Sequence, residues 1–116
     1  MPIVEVTCAR DVDGESLRLL LQALPHAVSV AVDCPEEPYD GHLQPGDVDI
    51  RVRERGPLDS GGLGIVVEVR SKWTESRASN RQERVSQLRK ALVQASGATG
   101  LGVYLALPCA AWAQDD

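Results

Sequence analysis

Three cysteines, two histidines, 12 basic and 17 acidic side chains are the groups with which this 116-residue sequence could do chemistry. Their spacing informs first by exclusion. Cys8, Cys34 and Cys109 are odd in number and contain no CxxC pair, so they predict reduced structural thiols, not a disulfide framework or a zinc knuckle. His26 and His42 have no partner at i+3 or i+4 and match no zinc-binding arrangement, so no metal is expected. Ser60-Gly61-Gly62 lacks the phosphate-loop pattern and reads as a turn. The formal net charge of −5 argues against attraction to phosphate backbones or anionic lipid. Two Trp, two Tyr and no Phe cannot build a stacking platform for single-stranded nucleic acid. No apolar run approaches the ~18 residues that span a bilayer, and Met1-Pro2-Ile3-Val4-Glu5 lacks the basic start of a secretory signal. The expectation is a cytoplasmic protein without nucleic-acid or membrane partners.

With 43% hydrophobic and 25% charged residues the chain has the composition of a folded protein, and its length suits one domain over 1–116. Residues 3–8 are mostly β-branched, without Gly or Pro, and predict a strand. Leu17, Leu20, Leu21, Leu24 and Val28 recur at helical spacing, with Pro25 predicting a kink or two stacked helical pieces. Residues 34–46 carry three prolines and two glycines and read as a long, variable or mobile loop. Val48, Ile50 and Val52 alternate with Asp49, Arg51 and Arg53, the period of a half-buried strand. A glycine-rich turn over 56–64 leads to a strand over 65–71. A helix over 80–95 follows, with Val85, Leu88, Leu92 and Ala95 on one face and Arg81, Arg84, Arg89 and Lys90 solvated, and Gly97 is placed to stop it. Residues 103–107 form the last strand, ended by Pro108.

The order is β-α-β-β-α-β, and its halves, about 1–56 and 63–112, resemble each other: Ile3-Val4-Glu5-Val6 recurs as Val66-Val67-Glu68-Val69 and Leu17-Arg18 as Leu88-Arg89. This predicts an α+β fold, a four-stranded mixed sheet with two helices on one face. The opposite face then carries Glu5, Asp49, Arg51, Arg53 and Glu68, too polar for a second helix layer. Such a face suits a homo-oligomer whose subunits turn it towards a shared polar interior.

Met1-Pro2 running directly into a strand, the duplicated β-α-β unit and the tail of strand, Pro, small residues and Trp resemble the tautomerase superfamily. Its members include 4-oxalocrotonate tautomerase, 5-carboxymethyl-2-hydroxymuconate isomerase and malonate semialdehyde decarboxylase. The resemblance covers nearly the whole chain and implies a trimer that needs no cofactor.

It also implies roles. Pro2, exposed when Met1 is removed, would be a secondary amine acting as general base, its pKa brought towards the working pH by an apolar pocket and nearby cations. A small 2-oxo or 2-hydroxy carboxylic acid, often unsaturated, would be the substrate, held by cations. Arg70 and Lys72 at the end of the third strand correspond to the place where decarboxylases and dehalogenases bind a carboxylate. Arg10 lies near a tautomerase arginine, and Arg51 and Arg53 resemble an isomerase pair. Glu37, in Cys34-Pro35-Glu36-Glu37, is the acid nearest the position that orients or activates water in the decarboxylase and hydratase branch. Trp112 and Tyr104 are candidate walls for the proline pocket. The implied activity is tautomerase-like isomerisation. The alternatives are hydratase, dehalogenase or decarboxylase chemistry on a three-carbon acid, or a trimeric paralogue that binds without catalysing.

Overall fold

The computed structural model describes residues 1–115; Asp116, the last residue of the predicted domain, lies outside them. The β-branched segment at the N-terminus forms strand β1 (Ile3–Cys8), in which Val4, Val6 and Cys8 are buried while Ile3, Glu5 and Thr7 face the other way. Helix α1 (Gly14–Val32) starts where Asp13 accepts the Ser16 backbone N–H at 3.0 Å, satisfying one of the orphan donors of the first turn. Strands β2 (Asp49–Glu54) and β3 (Ile65–Arg70) follow, then a short helix α2 (Glu75–Ser79), helix α3 (Arg81–Ser96) and strand β4 (Leu101–Ala106).

The strands form one mixed sheet in the order β2-β1-β3-β4. Each β-α-β unit contributes a parallel pair, β1 with β2 and β3 with β4, and the units meet through antiparallel β1 and β3. The helices cover one face, where Leu20, Leu24, Val28 and Val32 of α1 and Leu88 and Leu92 of α3 join Val4, Val6, Val67 and Val69 in one core. The predicted α+β architecture is therefore the observed one. Gly97 ends α3 as expected, at φ 67° with its N–H on the Val93 carbonyl at 2.8 Å.

Local expectations needed correction in five places. Pro25 neither breaks α1 nor divides it: Gly14–Val32 is one helix with Pro25 buried inside. Burial of Leu24, Ala27 and Val28 around it offsets an intrinsic penalty of about 3 kcal/mol. Val52 is 46% exposed, because β2 is an edge strand whose far end runs beyond the helix layer, whereas Val48 and Ile50 join the core. On α3, Val85 is half-buried and Ala95 exposed. Arg84 is not simply solvated; its Nη1 donates to the carbonyls of Ala31 and Asp33 at 2.9 and 2.8 Å, closing the C-terminal end of α1.

Residues 34–46, finally, are anchored. Pro38–His42 is a 3-10 turn, and the buried Ser29 hydroxyl donates to the Asp40 carbonyl at 2.7 Å and accepts the Leu43 N–H at 3.0 Å. Periodicity carries no sign of this, since both bonds come from one serine on the inner face of a helix. Ser29→Ala strands one donor and one acceptor, and the expected loss is about 1–3 kcal/mol of stability. An unchanged denaturant midpoint would show that another group holds the turn.

Candidate active site

The register fixes which chemistry shares one end of the sheet. Ile3 at the start of β1 faces Asp49 on β2 and Arg70 on β3. Pro2 is buried just before it, its carbonyl accepting the Asp49 N–H at 3.2 Å. The ladder between β3 and β4 runs on past both strands, with Ser71 N–H on the Ala106 carbonyl at 3.1 Å and Trp73 N–H on the Pro108 carbonyl at 2.8 Å. The C-terminal tail is thereby delivered to the end occupied by Pro2. A broad, open cleft of about 1160 Å³ lies there, lined by Met1, Glu37, Asp40, His42, Asp47 and Trp112 among others. The Trp112 indole N–H donates to Gln114 Oε1 at 2.7 Å.

The candidate cations divide into distinct groups. Arg70 is already paired: Nη2 donates to Glu5 at 2.8 Å and Nε to Glu68 at 3.0 Å. The Glu68 hydrogen bond, then the charge and hydrogen bond of Glu5, raise its pKa above the ordinary arginine value. Arg51 joins the same network on the open face, 2.8 Å from Asp49 and 4.0 Å from Glu5. Arg53 is exposed further along β2, in register with Thr7. Arg10 lies beyond the other end of β1, 3.5 Å from Glu54, so one chain does not bring it to Pro2. Lys72 is exposed just past β3, and no side-chain ion pair engages it among the described residues. Tyr104 is 67% exposed on β4 opposite Glu68, away from the cleft, whereas Trp112 lines it.

Glu37 reaches the cleft and is held by a residue that sequence reasoning missed. Arg77 on α2 is fully buried, and its guanidinium donates to Glu37 Oε1 at 2.6 Å, Asp40 Oδ2 at 2.7 Å, the Lys72 carbonyl at 2.8 Å and the Val32 carbonyl at 2.8 Å. Thr74 caps α2 by accepting the Arg77 N–H at 3.2 Å. Glu36 accepts the Ser76 N–H at 3.1 Å, and that backbone hydrogen bond holds its carboxyl below the ordinary value. The signal available beforehand was the Thr74 cap followed by an arginine, which marks a helix start and says nothing of burial. Among the described residues no cluster of His, Cys, Asp and Glu side chains is arranged to hold a metal ion. Among the described residues no helix is long and apolar enough to cross a membrane.

No protein-family model matches this sequence, and no curated protein does. Solved structures do. A malonate semialdehyde decarboxylase matches with TM-score 0.64 over 98% of this chain and 91% of that one, at 18% identity. A fused 4-OT symmetric trimer gives TM-score 0.57 at 17% identity, covering 92% of this chain and 85% of that one.

The fold is that of the tautomerase superfamily.

MIF2 of Leishmania major shares this tautomerase fold with TM-score 0.58 at 16% identity, covering 97% of this chain and 93% of that one. At such identities the likeness is one of architecture.

Proposed function

We propose that the chain is a cofactor-independent enzyme of the tautomerase type, in which removal of Met1 frees the Pro2 amine to move protons on a small 2-oxo or 2-hydroxy, often unsaturated, carboxylic acid. The observation that carries this reading is the position of Met1. The residue whose carbonyl acylates the Pro2 nitrogen lines the same cleft as Glu37, His42 and Trp112. Once Met1 is cleaved, the new amine opens into that cleft. Pro2 takes a proton alpha to the carbonyl or from an enol and returns it at a conjugated carbon. Lys72 supplies the cation for the carboxylate. Arg70 is a weaker candidate, since Glu5 and Glu68 occupy it. Arg10 serves only if a second subunit brings it to the cleft.

A homotrimer suits the open sheet face, which carries the network of Glu5, Asp49, Arg51, Glu68 and Arg70 together with the exposed Tyr104 ring. Trimers are recorded among the structures that share the fold. Sedimentation equilibrium is expected to return three chains per particle, and a monomer at micromolar concentration would overturn this.

A second reading is favoured by the hold of Arg77 on Glu37. Here Pro2 stays protonated and Glu37 takes a proton from water. The hydroxide oxygen bonds to the carbon beta to the substrate carbonyl, and Pro2 returns a proton to the alpha carbon, which adds one water across the multiple bond. One probe separates the two. In 2-oxo-3-pentynoate the triple bond is conjugated to a ketone, so the alkyne carbon is electrophilic; a relative of this fold is recorded as inactivated by it. A neutral Pro2 adds to that carbon and leaves one covalent adduct per chain on Pro2, readable by intact mass and peptide mapping. A protonated Pro2 with Glu37 as base instead hydrates the probe to acetopyruvate. Neither adduct nor turnover would remove both readings in favour of the non-catalytic paralogue.

A further inference from the structure

We infer that Arg77 is the positioning residue of this site, fixing the Glu37 carboxylate and the Lys72 backbone relative to one another; the inference rests on the hydration reading, in which Glu37 is the base. A single nitrogen, Nη1, donates both to Glu37 Oε1 at 2.6 Å and to the Lys72 carbonyl at 2.8 Å. Nε is committed to the Val32 carbonyl at 2.8 Å and Nη2 to Asp40 Oδ2 at 2.7 Å. The guanidinium therefore ties the end of α1, the 3-10 turn and the segment after β3. Its planar fork, wholly buried, cannot swing to another partner without leaving several acceptors empty.

The consequence for Glu37 is an asymmetry between its two oxygens. Oε1 is consumed by Arg77, whereas Oε2 has no hydrogen-bond partner among the described residues, and the side chain stays 32% exposed along the cleft. Oε2 is then the oxygen presented to a ligand or to the attacking water. Its direction is set by the fork behind it. Without that fork the flexible Glu side chain would sample several rotamers, and the Lys72 carbonyl would lose the bond that ties it to the acid. Orientation of this kind acts on the rate far more than on ground-state binding.

The test is the rate of 2-oxo-3-pentynoate hydration, with kcat and KM separated, in wild type, Glu37→Gln, Arg77→Lys, Arg77→Gln and the double variant Arg77→Gln/Glu37→Gln. Glutamine at 37 still accepts from Nη1 but offers an NH2 group where Oε2 was. Its kcat is expected to fall about 10²–10⁴-fold with KM little changed and the melting temperature near wild type. Arg77→Gln should lose kcat to a similar extent, Arg77→Lys should recover part of it, and the double variant should be no slower than the slower single one. Losses that multiply in the double variant would overturn the inference, as would a wild-type kcat in Glu37→Gln, a variant that folds even where Arg77 variants do not. If hydration is absent in wild type, or is unchanged in Pro2→Ala, the hydration reading itself fails and takes the inference with it. A wild-type kcat in Glu37→Gln removes the hydration reading as well, since Glu37 is its base; losses that multiply in the double variant, with hydration still dependent on Pro2 and Glu37, remove the inference alone.

Discussion

Pro2→Ala is expected to lower kcat/KM for ketonisation of phenylenolpyruvate by about 10²–10⁴-fold, the usual worth of a positioned general base. Alanine permits removal of Met1 and leaves an amine at the same chain position, so the comparison isolates what the pyrrolidine ring contributes. The pyrrolidine ring ties the nitrogen to the side chain and presents a secondary amine whose lone pair is held by the ring. The site holds that ring firmly, because Pro2 is buried and its carbonyl is bonded to the Asp49 N–H. A primary amine on alanine rotates and hydrates freely, losing the near-attack geometry on which proton transfer depends. The assay belongs beside an intact-mass measurement of the untagged chain. Loss of Met1 with equal activity in both proteins would sink the proline mechanism. Full retention of Met1 would leave an amide at Pro2 and point to the binding paralogue.

Arg77→Leu is expected to destabilise the fold by about 3–5 kcal/mol, the cost of leaving a buried charge without its partner. Leucine fills much of the volume but donates nothing. The Asp40 carboxylate, almost entirely enclosed, and the half-enclosed Glu37 lose their counter-charge, and the Val32 and Lys72 carbonyls lose their donors. The denaturant midpoint should fall with an unchanged slope, since the surface exposed on unfolding stays the same. Adding Glu37→Gln and Asp40→Asn to Arg77→Leu should recover part of the loss by removing the orphaned charges. No recovery would assign the loss to packing and the carbonyls alone.

How far the sequence foretold all this depends on the kind of signal each residue left. The β-branched run of β1, the alternation in β2, the helical recurrence from Leu20 to Val28 and Gly97 after α3 are compositional, periodic or conformational signals, and the elements they predicted are present. The duplicated halves predicted one four-stranded mixed sheet with its helices on one face, and the structure adds the strand order β2-β1-β3-β4. Arg77 and Ser29 left no such trace. Each acts through partners far away in sequence, and nothing in Thr74-Glu75-Ser76-Arg77 distinguishes a wholly buried arginine from a solvated one. Glu37 entered as a candidate only through family resemblance, and its ion pair with Arg77 left no trace in the sequence. The partners of Arg70 were hidden in the same manner: Glu5 and Glu68 stand across from each other in the register of β1 and β3, a pairing that exists only once the sheet is formed.

Met1 and, from the C-terminal tail, Trp112 and Gln114 line one and the same cleft. A circular permutant is therefore within geometric reach: a short glycine linker running from the segment after Gln114 back to Met1, with new termini cut in the exposed turn between β2 and β3. Such a chain would keep the strand order and the core while Pro2 became an internal residue whose nitrogen is an amide. It would separate architecture from amine chemistry in one molecule, without replacing a single side chain.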